Sequence, residues 1–258
     1  MVLLAMDVGN TNTTIGVFRE GELTSSFRLT TAANRTVDEL GLWLRQLLAW
    51  AHISLDDLEG VIVGSVVPPL DPALSQAIAR YLHVKPLFVE PGIKSGMPLR
   101  VETPRELGAD RLCNAVAAYA EYGGPVIVVD FGTATTWDVV SEKGEFLGGI
   151  IAPGLEISAE ALFSRAAKLP RVELEAPDHV IGKATVDSMQ AGLVFGYVAL
   201  VEGLTQRVLA EVPGARVVGT GGLAPVLAKH THIFAAVDGH LTLKGLRILW
   251  EKNRPNRK

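Results

Sequence analysis

Two carboxylates head matching loops of small residues. Asp7 opens Asp7-Val8-Gly9-Asn10-Thr11-Asn12-Thr13-Thr14, and Asp130 opens Asp130-Phe131-Gly132-Thr133-Ala134-Thr135-Thr136. Each follows an apolar run, Val2 to Met6 and Val126 to Val129, which reads as a buried strand. An Asp at a strand end sets a carboxylate at the rim of a sheet, where a hydrated cation can be held. The glycine that follows lets backbone approach a phosphate. Asn and Thr side chains add donors beside backbone N–H groups, as an anion nest requires. Ile15, Val17 and Val139 begin a return strand, so each unit is expected to be a β-hairpin and not a strand–helix phosphate loop. A single such loop could equally be an ordinary polar hairpin turn.

The spacing says more. Asp7 and Asp130 are 123 residues apart (130 − 7), close to half of the 258-residue chain. The same offset aligns Glu20-Gly21-Glu22-Leu23 with Lys143-Gly144-Glu145-Phe146, so the match is expected to continue without a gap through the next strand and turn. A repeat at half the chain length implies a duplicated fold. Two such loops facing each other across a central cleft would clamp a nucleotide.

A third group is Gly219-Thr220-Gly221-Gly222-Leu223-Ala224. It fits a relaxed dinucleotide fingerprint after a strand, but only 34 residues follow Ala224 (258 − 224), too few for a dinucleotide fold. A glycine turn there suits an adenine and ribose lying flat on backbone, or is simply a tight strand–helix turn. Asp130-Phe131-Gly132 also spells a protein-kinase triplet, without the catalytic loop that goes with it. No Walker A pattern occurs, so nucleotide binding falls to the paired hairpins.

The fourth group is Gly108-Ala109-Asp110-Arg111. Thr103-Pro104-Arg105-Glu106 reads as a capping box with Pro at the first helical position, which puts Asp110 about one and a half turns into a helix. The apolar stripe there is Leu112, Ala115, Val116 and Tyr119, with Asp110 and Asn114 off it. Asp110 is then either a solvated surface carboxylate or a base. Arg111 is a surface partner or a carboxylate binder. Gly108 removes a side chain where a substrate could approach.

The elements that position these groups follow from periodicity. Strands are expected near 2–6, 14–19, 23–29 and 61–67, then near 126–130, 135–140, 145–151 and 215–218. Thr36-Val37-Asp38-Glu39 is a capping box opening a helix with the stripe Leu40, Trp43, Leu44, Leu47 and Leu48. Further helices are expected near 155–167, 186–211 and 241–251. The order gives an α/β protein of two lobes with mixed sheets, residues 1–122 and 123–258, meeting directly.

Composition fits a globular chain: 48% hydrophobic, 20% charged, formal net charge −4. That charge offers no electrostatic reason to expect nucleic acid or an anionic membrane as partner. Cys113 is the single cysteine, which fits a reducing cytoplasm. The apolar stretch Leu193 to Val201 ends at Glu202, short of a membrane span, and the N-terminal run lacks the features of a signal peptide. The six His are scattered, with no zinc spacing. The basic tail from Lys252 to Lys258 reads as a solvated terminus.

Together with Gly149-Ile150-Ile151-Ala152-Pro153-Gly154, these motifs resemble type III pantothenate kinase, in order and over nearly the whole chain. The resemblance implies the duplicated two-lobe fold of actin, hexokinase and the heat-shock ATPases. It implies phosphorylation of pantothenate by ATP with Mg²⁺, the first committed step of coenzyme A synthesis. By the same resemblance Asp110 is the general base, Asp130 holds K⁺ or NH₄⁺, Thr133 contacts ATP, and Thr185 binds pantothenate, serving the neighbouring subunit's site in a homodimer. Asp7, Val8, Gly9, Asn10, Thr11, Asn12, Thr13, Thr14, Gly132, Gly219, Gly221 and Gly222 also fall to the ATP side, and Val101, Gly108, Ala109, Asp110 and Arg111 to the substrate side. Val101 stands where many members carry a Tyr, so this position offers apolar packing in place of a phenol contact. Two other readings stay open on the residues alone: another small-molecule kinase or a phosphoanhydride phosphatase on the same fold, or a regulatory protein that senses ATP without turnover. A regulator needs no base.

Overall fold

The computed structural model describes residues 2–254. The last four residues of the basic tail, 255–258, lie outside the described residues. The chain packs as two compact units.

The first unit holds a five-stranded sheet ordered β3-β2-β1-β4-β5. Its strands are β1 (Val2–Val8), β2 (Asn12–Arg19), β3 (Glu22–Thr30), β4 (Leu58–Ser65) and β5 (Leu87–Phe88). β1 pairs antiparallel with β2 and parallel with β4. Helix α1 (Val37–Trp50) is capped as its sequence requires: the Thr36 hydroxyl accepts from Glu39 N, and Glu39 accepts from Thr36 N at 2.7 Å. Leu40, Leu44, Leu47 and Leu48 of α1 close one face of the sheet over Leu4, Met6, Ile15 and Val63. Helix α2 (Asp71–Ala77), which runs on into a π turn over Ile78–Leu82, adds Leu74, Ile78 and Leu82 to that core. The periodicity reading had no element there.

The second unit repeats the order as β10-β9-β6-β7-β8. Its strands are β6 (Val126–Phe131), β7 (Ala134–Val140), β8 (Phe146–Pro153), β9 (Arg216–Gly221) and β10 (Ala236–Val237). Both phosphate-loop candidates are antiparallel hairpins, as the return strands required. They are not in gapless register. Val8 pairs with Thr13, but Phe131 pairs with Thr135, so the second loop is one residue shorter. The bulge at Val17/Phe18 recurs at Val139/Val140, an offset of 122 (139 − 17). Phe18 then pairs with Leu23, and Val140 with Phe146. A turn one residue longer restores the offset to 123 (146 − 23). Ladder pairing fixes register residue by residue, so a deletion in one turn had to be balanced at the next to keep the same side chains inward.

Helices α3 (Ala109–Tyr122), α4 (Leu155–Arg165), α5 (Thr185–Glu211), α6 (Ala224–Leu227) and α7 (Leu241–Asn253) complete the chain. Packing does not divide it at 122/123. The stretch from Leu241 groups with the first unit, and Ala118–His240 form the second together with Leu99–Val101. The cause is visible on the sheet of the first unit. A Cβ on Gly60 would collide with the Trp250 ring, and one on Gly16 or Gly64 would meet Leu243 at 3.0 Å or Leu246 at 3.2 Å. These glycines are sockets for the knobs of α7. Likewise, Leu193–Val201 is not a short apolar stretch on its own. It lies inside the 27-residue α5, long and apolar enough to cross a membrane, with a mean hydropathy of 1.3 in its most apolar part. One face of that helix, Tyr197, Val198, Val201 and Val208, packs in the core of the second unit.

Candidate functional site

In the first unit the site starts at the end of β1. Asp7 pairs with Thr14 across the hairpin and with Gly64 on β4. Adjacent Val8 is buried and Thr13 is only 6% exposed, so alternation sends Val8 and Thr13 into the core while Asp7 and Thr14 share the other face. The Gly9–Asn12 turn is tied by Gly9 N to Asn12 O at 3.0 Å, and Thr31 N donates to Thr11 O at 2.9 Å. Asn10 and Thr11 are exposed.

Asp110 is nearer a helix end than the sequence implied. Thr103-Pro104-Arg105-Glu106 does not cap α3. It forms a separate 3₁₀ turn over Pro104–Glu106, and the Thr103 hydroxyl bonds the Glu106 side chain at 3.0 Å. Leu107 is extended, at φ −67° and ψ 121°, which ends that turn. The α-helix starts afresh at Ala109, with Gly108 O accepting from Leu112 N at 3.1 Å. Asp110 is therefore the second residue of α3, and its Oδ1 accepts from Arg111 N at 2.8 Å. The space at Gly108 is taken by that carboxylate itself, since a Cβ there would collide with Asp110 Oδ1. Asn114 does not lie off a buried stripe. It is fully buried and accepts from the Thr242 hydroxyl at 2.8 Å, because α7 covers the side of α3 that a single amphipathic stripe leaves to water.

Cys113 joins these parts. Its thiol is buried and pushed up well above its ordinary value, first by burial, then by the negative charges of Asp7 and Asp110. Both carboxylates thus act on one buried sulfur. A Cβ on Gly64 would come within 3.6 Å of Ala109 Cβ and 4.0 Å of the sulfur, so the strand carrying Gly64 receives the first turns of α3. Gly64 and Cys113 carried no motif, and only the pairing of β4 with β1 discloses them.

In the second unit Asp130 pairs with Thr136 on β7 and with Thr220 on β9. The loop Gly132–Ala134 is tied by Gly132 N to Ala134 O at 3.1 Å. Gly154, at the start of α4, donates its N–H to Thr133 O at 3.0 Å. A Cβ on Gly154 would strike the Gly132 and Thr133 carbonyls, so glycine lets α4 start against the loop. Gly221 has φ +90°, and a Cβ there would sit 2.5 Å from Asp130 Oδ1 and 2.6 Å from Phe131 O. Phe131 N is 2.7 Å from the same point, so only glycine lets the end of β9 lie this close to the Asp130 carboxylate and the β6 backbone. Gly219 is buried, with the Phe234 ring 3.3 Å from its Cβ position. At the end of the turn Gly221 is half-buried and Gly222 is exposed.

Val101 belongs to the second unit. Leu99 forms a parallel bridge to Phe146, Arg100 N donates to Phe146 O at 2.8 Å, and Arg100 Nε and Nη2 both donate to Glu145 Oε1 at 2.9 and 2.6 Å. Val101 then lies 3.8 Å from the Cβ position of Gly148. Thr185 is the first residue of α5 and is exposed. It lines an open cleft of about 630 Å³ with Leu162, Lys183, Ser188 and Met189. The structure thus brings Asp7 and Asp110 together in one unit, and Asp130, Gly132, Thr133 and Gly221 in the other.

Residues 3–207 match the family model of type III pantothenate kinase. The type III pantothenate kinase of Koribacter versatilis is 50% identical, over 99% of this chain and 97% of that protein. Among solved structures, component A of (R)-2-hydroxyglutaryl-CoA dehydratase from Acidaminococcus fermentans superposes with a TM-score of 0.56 at 15% identity, covering 96% of each chain. The polyphosphate/ATP-glucomannokinase of an Arthrobacter species gives 0.52 at 14% identity, over 98% of this chain and 99% of that one. Both structures share the fold alone.

Proposed function

Because the chain belongs to the type III pantothenate kinase family and has the duplicated fold of actin, hexokinase and the heat-shock ATPases, we propose the following chemistry. The protein transfers the γ-phosphoryl group of ATP to the primary hydroxyl of pantothenate, giving 4′-phosphopantothenate and ADP. Asp110 accepts the hydroxyl proton as the oxygen attacks the γ-phosphorus in line. The observation that carries this role is its place in the first turn of α3, whose Ala109 and Cys113 pack over Gly64, the ladder partner of Asp7. Arg111 binds the substrate carboxylate. Backbone N–H groups of the two loops and side chains of Asn10, Thr11, Asn12 and Thr133 hold phosphate oxygens, Gly132 lets the backbone approach them, and Gly221 and Gly222 pass the adenosine. Phosphoryl transfer asks mainly for positioning and charge neutralisation, which a set of loops rich in N–H and hydroxyl donors supplies.

ATP arrives with a divalent ion, which we take as Mg²⁺, neutralising phosphate charge. Asp130, at the rim of the second sheet, holds a monovalent cation, K⁺ or NH₄⁺. The enzyme works as a cytoplasmic homodimer in which Thr185 serves the neighbour's pantothenate. Support for the dimer is the open face of α5, where Gly192, Gly196 and Gly203 lie on one side and a Cβ on any of them would meet nothing. Sedimentation at two protein concentrations checks the dimer; a monomer at both removes the shared role of Thr185. The activity is tested by ADP release with ATP and, in turn, pantothenate, sugars and acetate. Turnover confined to pantothenate is expected. Turnover on sugars or acetate, or none at all, overturns the reading.

A further inference from the structure

The two hairpins close their loops with different groups. In the first unit the Thr13 and Thr31 hydroxyls bond each other at 2.8 Å, at the point where Thr31 N also bonds the loop carbonyl of Thr11. The matching residues of the second unit are Thr135 (13 + 122) and Gly154 (31 + 123), by the ladder registers. Gly154 keeps the backbone bond, to Thr133 O, but the carbonyls of Gly132 and Thr133 exclude any side chain from its position. The second loop therefore cannot be closed by a hydroxyl from its own hairpin.

That hydroxyl comes instead from helix α5. Tyr197 OH donates to Pro153 O at 3.0 Å and shares a hydrogen bond with the Thr135 hydroxyl. With its one proton on Pro153, Tyr197 accepts from Thr135. Tyr197 and Thr135 are 6% and 1% exposed, so water does not replace either partner. Burial, partly offset by the Thr135 bond, raises the phenol above its ordinary value, which keeps it a donor. Trp137, two residues further along β7, bonds Thr205 on the same helix at 2.8 Å and fixes α5 against the strand. One phenol thus ties both flanks of the loop, β7 at Thr135 and β8 at Pro153, next to Thr133 and Gly154.

We propose that Tyr197 is a positioning residue for the Gly132–Thr133 loop and sets its affinity for ATP from helix α5. The proposal rests on the reading of that loop as a phosphate site. The test is steady-state kinetics on the full chain with ATP varied at saturating pantothenate and K⁺, then the reverse. Tyr197→Phe removes one buried hydroxyl and no ring. It is expected to raise KM for ATP about five-fold, the worth of one such bond, with kcat and KM for pantothenate within about two-fold. Thr135→Val should do the same, and the double variant no more than either single one, because both break one network. A merely structural tyrosine would lower the melting temperature and move both KM values or neither. Unchanged KM for ATP in Tyr197→Phe, or multiplicative effects in the double variant, overturns the proposal. Gly132→Ala separates the two claims, since a Cβ there meets only Ala134 O at 3.5 Å and leaves the fold intact. If Gly132→Ala raises KM for ATP and Tyr197→Phe does not, only the positioning role falls. If neither does, the phosphate-loop reading falls with it.

Discussion

The β1–β2 hairpin and the β6–β7 hairpin carry the same Asp-x-Gly start on the same five-strand order, yet each recruits different company for its carboxylate. Asp7 faces Gly64 and the first turn of α3, where Asp110 sits. Asp130 faces Gly221 and the Phe131 carbonyl. The first loop spans Gly9 to Asn12 and is closed by its own threonines; the second spans Gly132 to Ala134 and borrows a tyrosine. A duplicated frame preserved strand order and inward pattern, because the cores demand them, while the rims diverged: α3 with Asp110 comes to the strand beside Asp7, and the Gly221 turn comes to Asp130.

The sharpest way to break this contrast is at the base. Asp110→Asn keeps shape and one acceptor but takes no proton at neutral pH. We expect kcat to fall about 10²-fold or more with ATP affinity by calorimetry nearly unchanged. Wild-type turnover removes the assignment, and loss of ATP affinity alone moves Asp110 to the nucleotide side.

A second, smaller effect is expected at the other carboxylate. At constant ionic strength the rate in K⁺ or NH₄⁺ should exceed that in Na⁺ or a bulky organic cation, and Asp130→Asn should lower it at least about ten-fold and flatten the difference. Equal rates in all cations for the wild type would take this role from Asp130.

The two β-strand ends next to these carboxylates offer a matched pair. Gly221→Ala puts a Cβ at φ +90° against Asp130 Oδ1 and Phe131 O, costing about 1–2 kcal/mol from the backbone alone and weakening ATP binding. Ser65, the counterpart of Gly221 in the ladder, only accepts from Val67 N at 3.1 Å. Ser65→Ala should cost about 1 kcal/mol and leave KM for ATP alone. Chemical denaturation and kinetics on both variants check this; equal effects would mean the rims are not specialised.

The smallest effect is expected where Val101 is moored. The Arg100 hydrogen bonds hold the Glu145 carboxyl below its usual range. A lowered folded-state value means that the interaction is present above the ordinary carboxylate range and is lost as pH falls through the lowered value. Glu145→Gln should raise KM for pantothenate two- to three-fold, about the worth of an exposed pair, with KM for ATP and melting temperature unchanged. The variant should merge with wild type in acid. A wild-type KM at neutral pH would detach this ion pair from the substrate side.

Much of this was legible in the chain. Apolar runs, two turn glycines and the offset of 123 led to the hairpins, and Thr36-Val37-Asp38-Glu39 marked the start of α1 to the residue. Local patterns failed where a distant element supplied the reason. The capping motif at Thr103 yielded to an extended Leu107, so α3 began later and Asp110 moved to its first turn. Asn114 sits in the core because α7, 128 residues on, donates Thr242 to it.

What the sequence alone determined is therefore the set of strands, the duplicated order and the identity of the two carboxylates, since alternation and turn chemistry are local and repeat with the residues themselves. The tertiary structure decided the rest: the one-residue slip in the second loop, the return of α7 to the first unit, the shared thiol of Cys113, and the loan of Tyr197 to a loop some sixty residues away (197 − 135 = 62). Each depends on which surfaces meet, and that is fixed by long-range packing against glycine sockets and ladder registers, where no nearby residue carries the information.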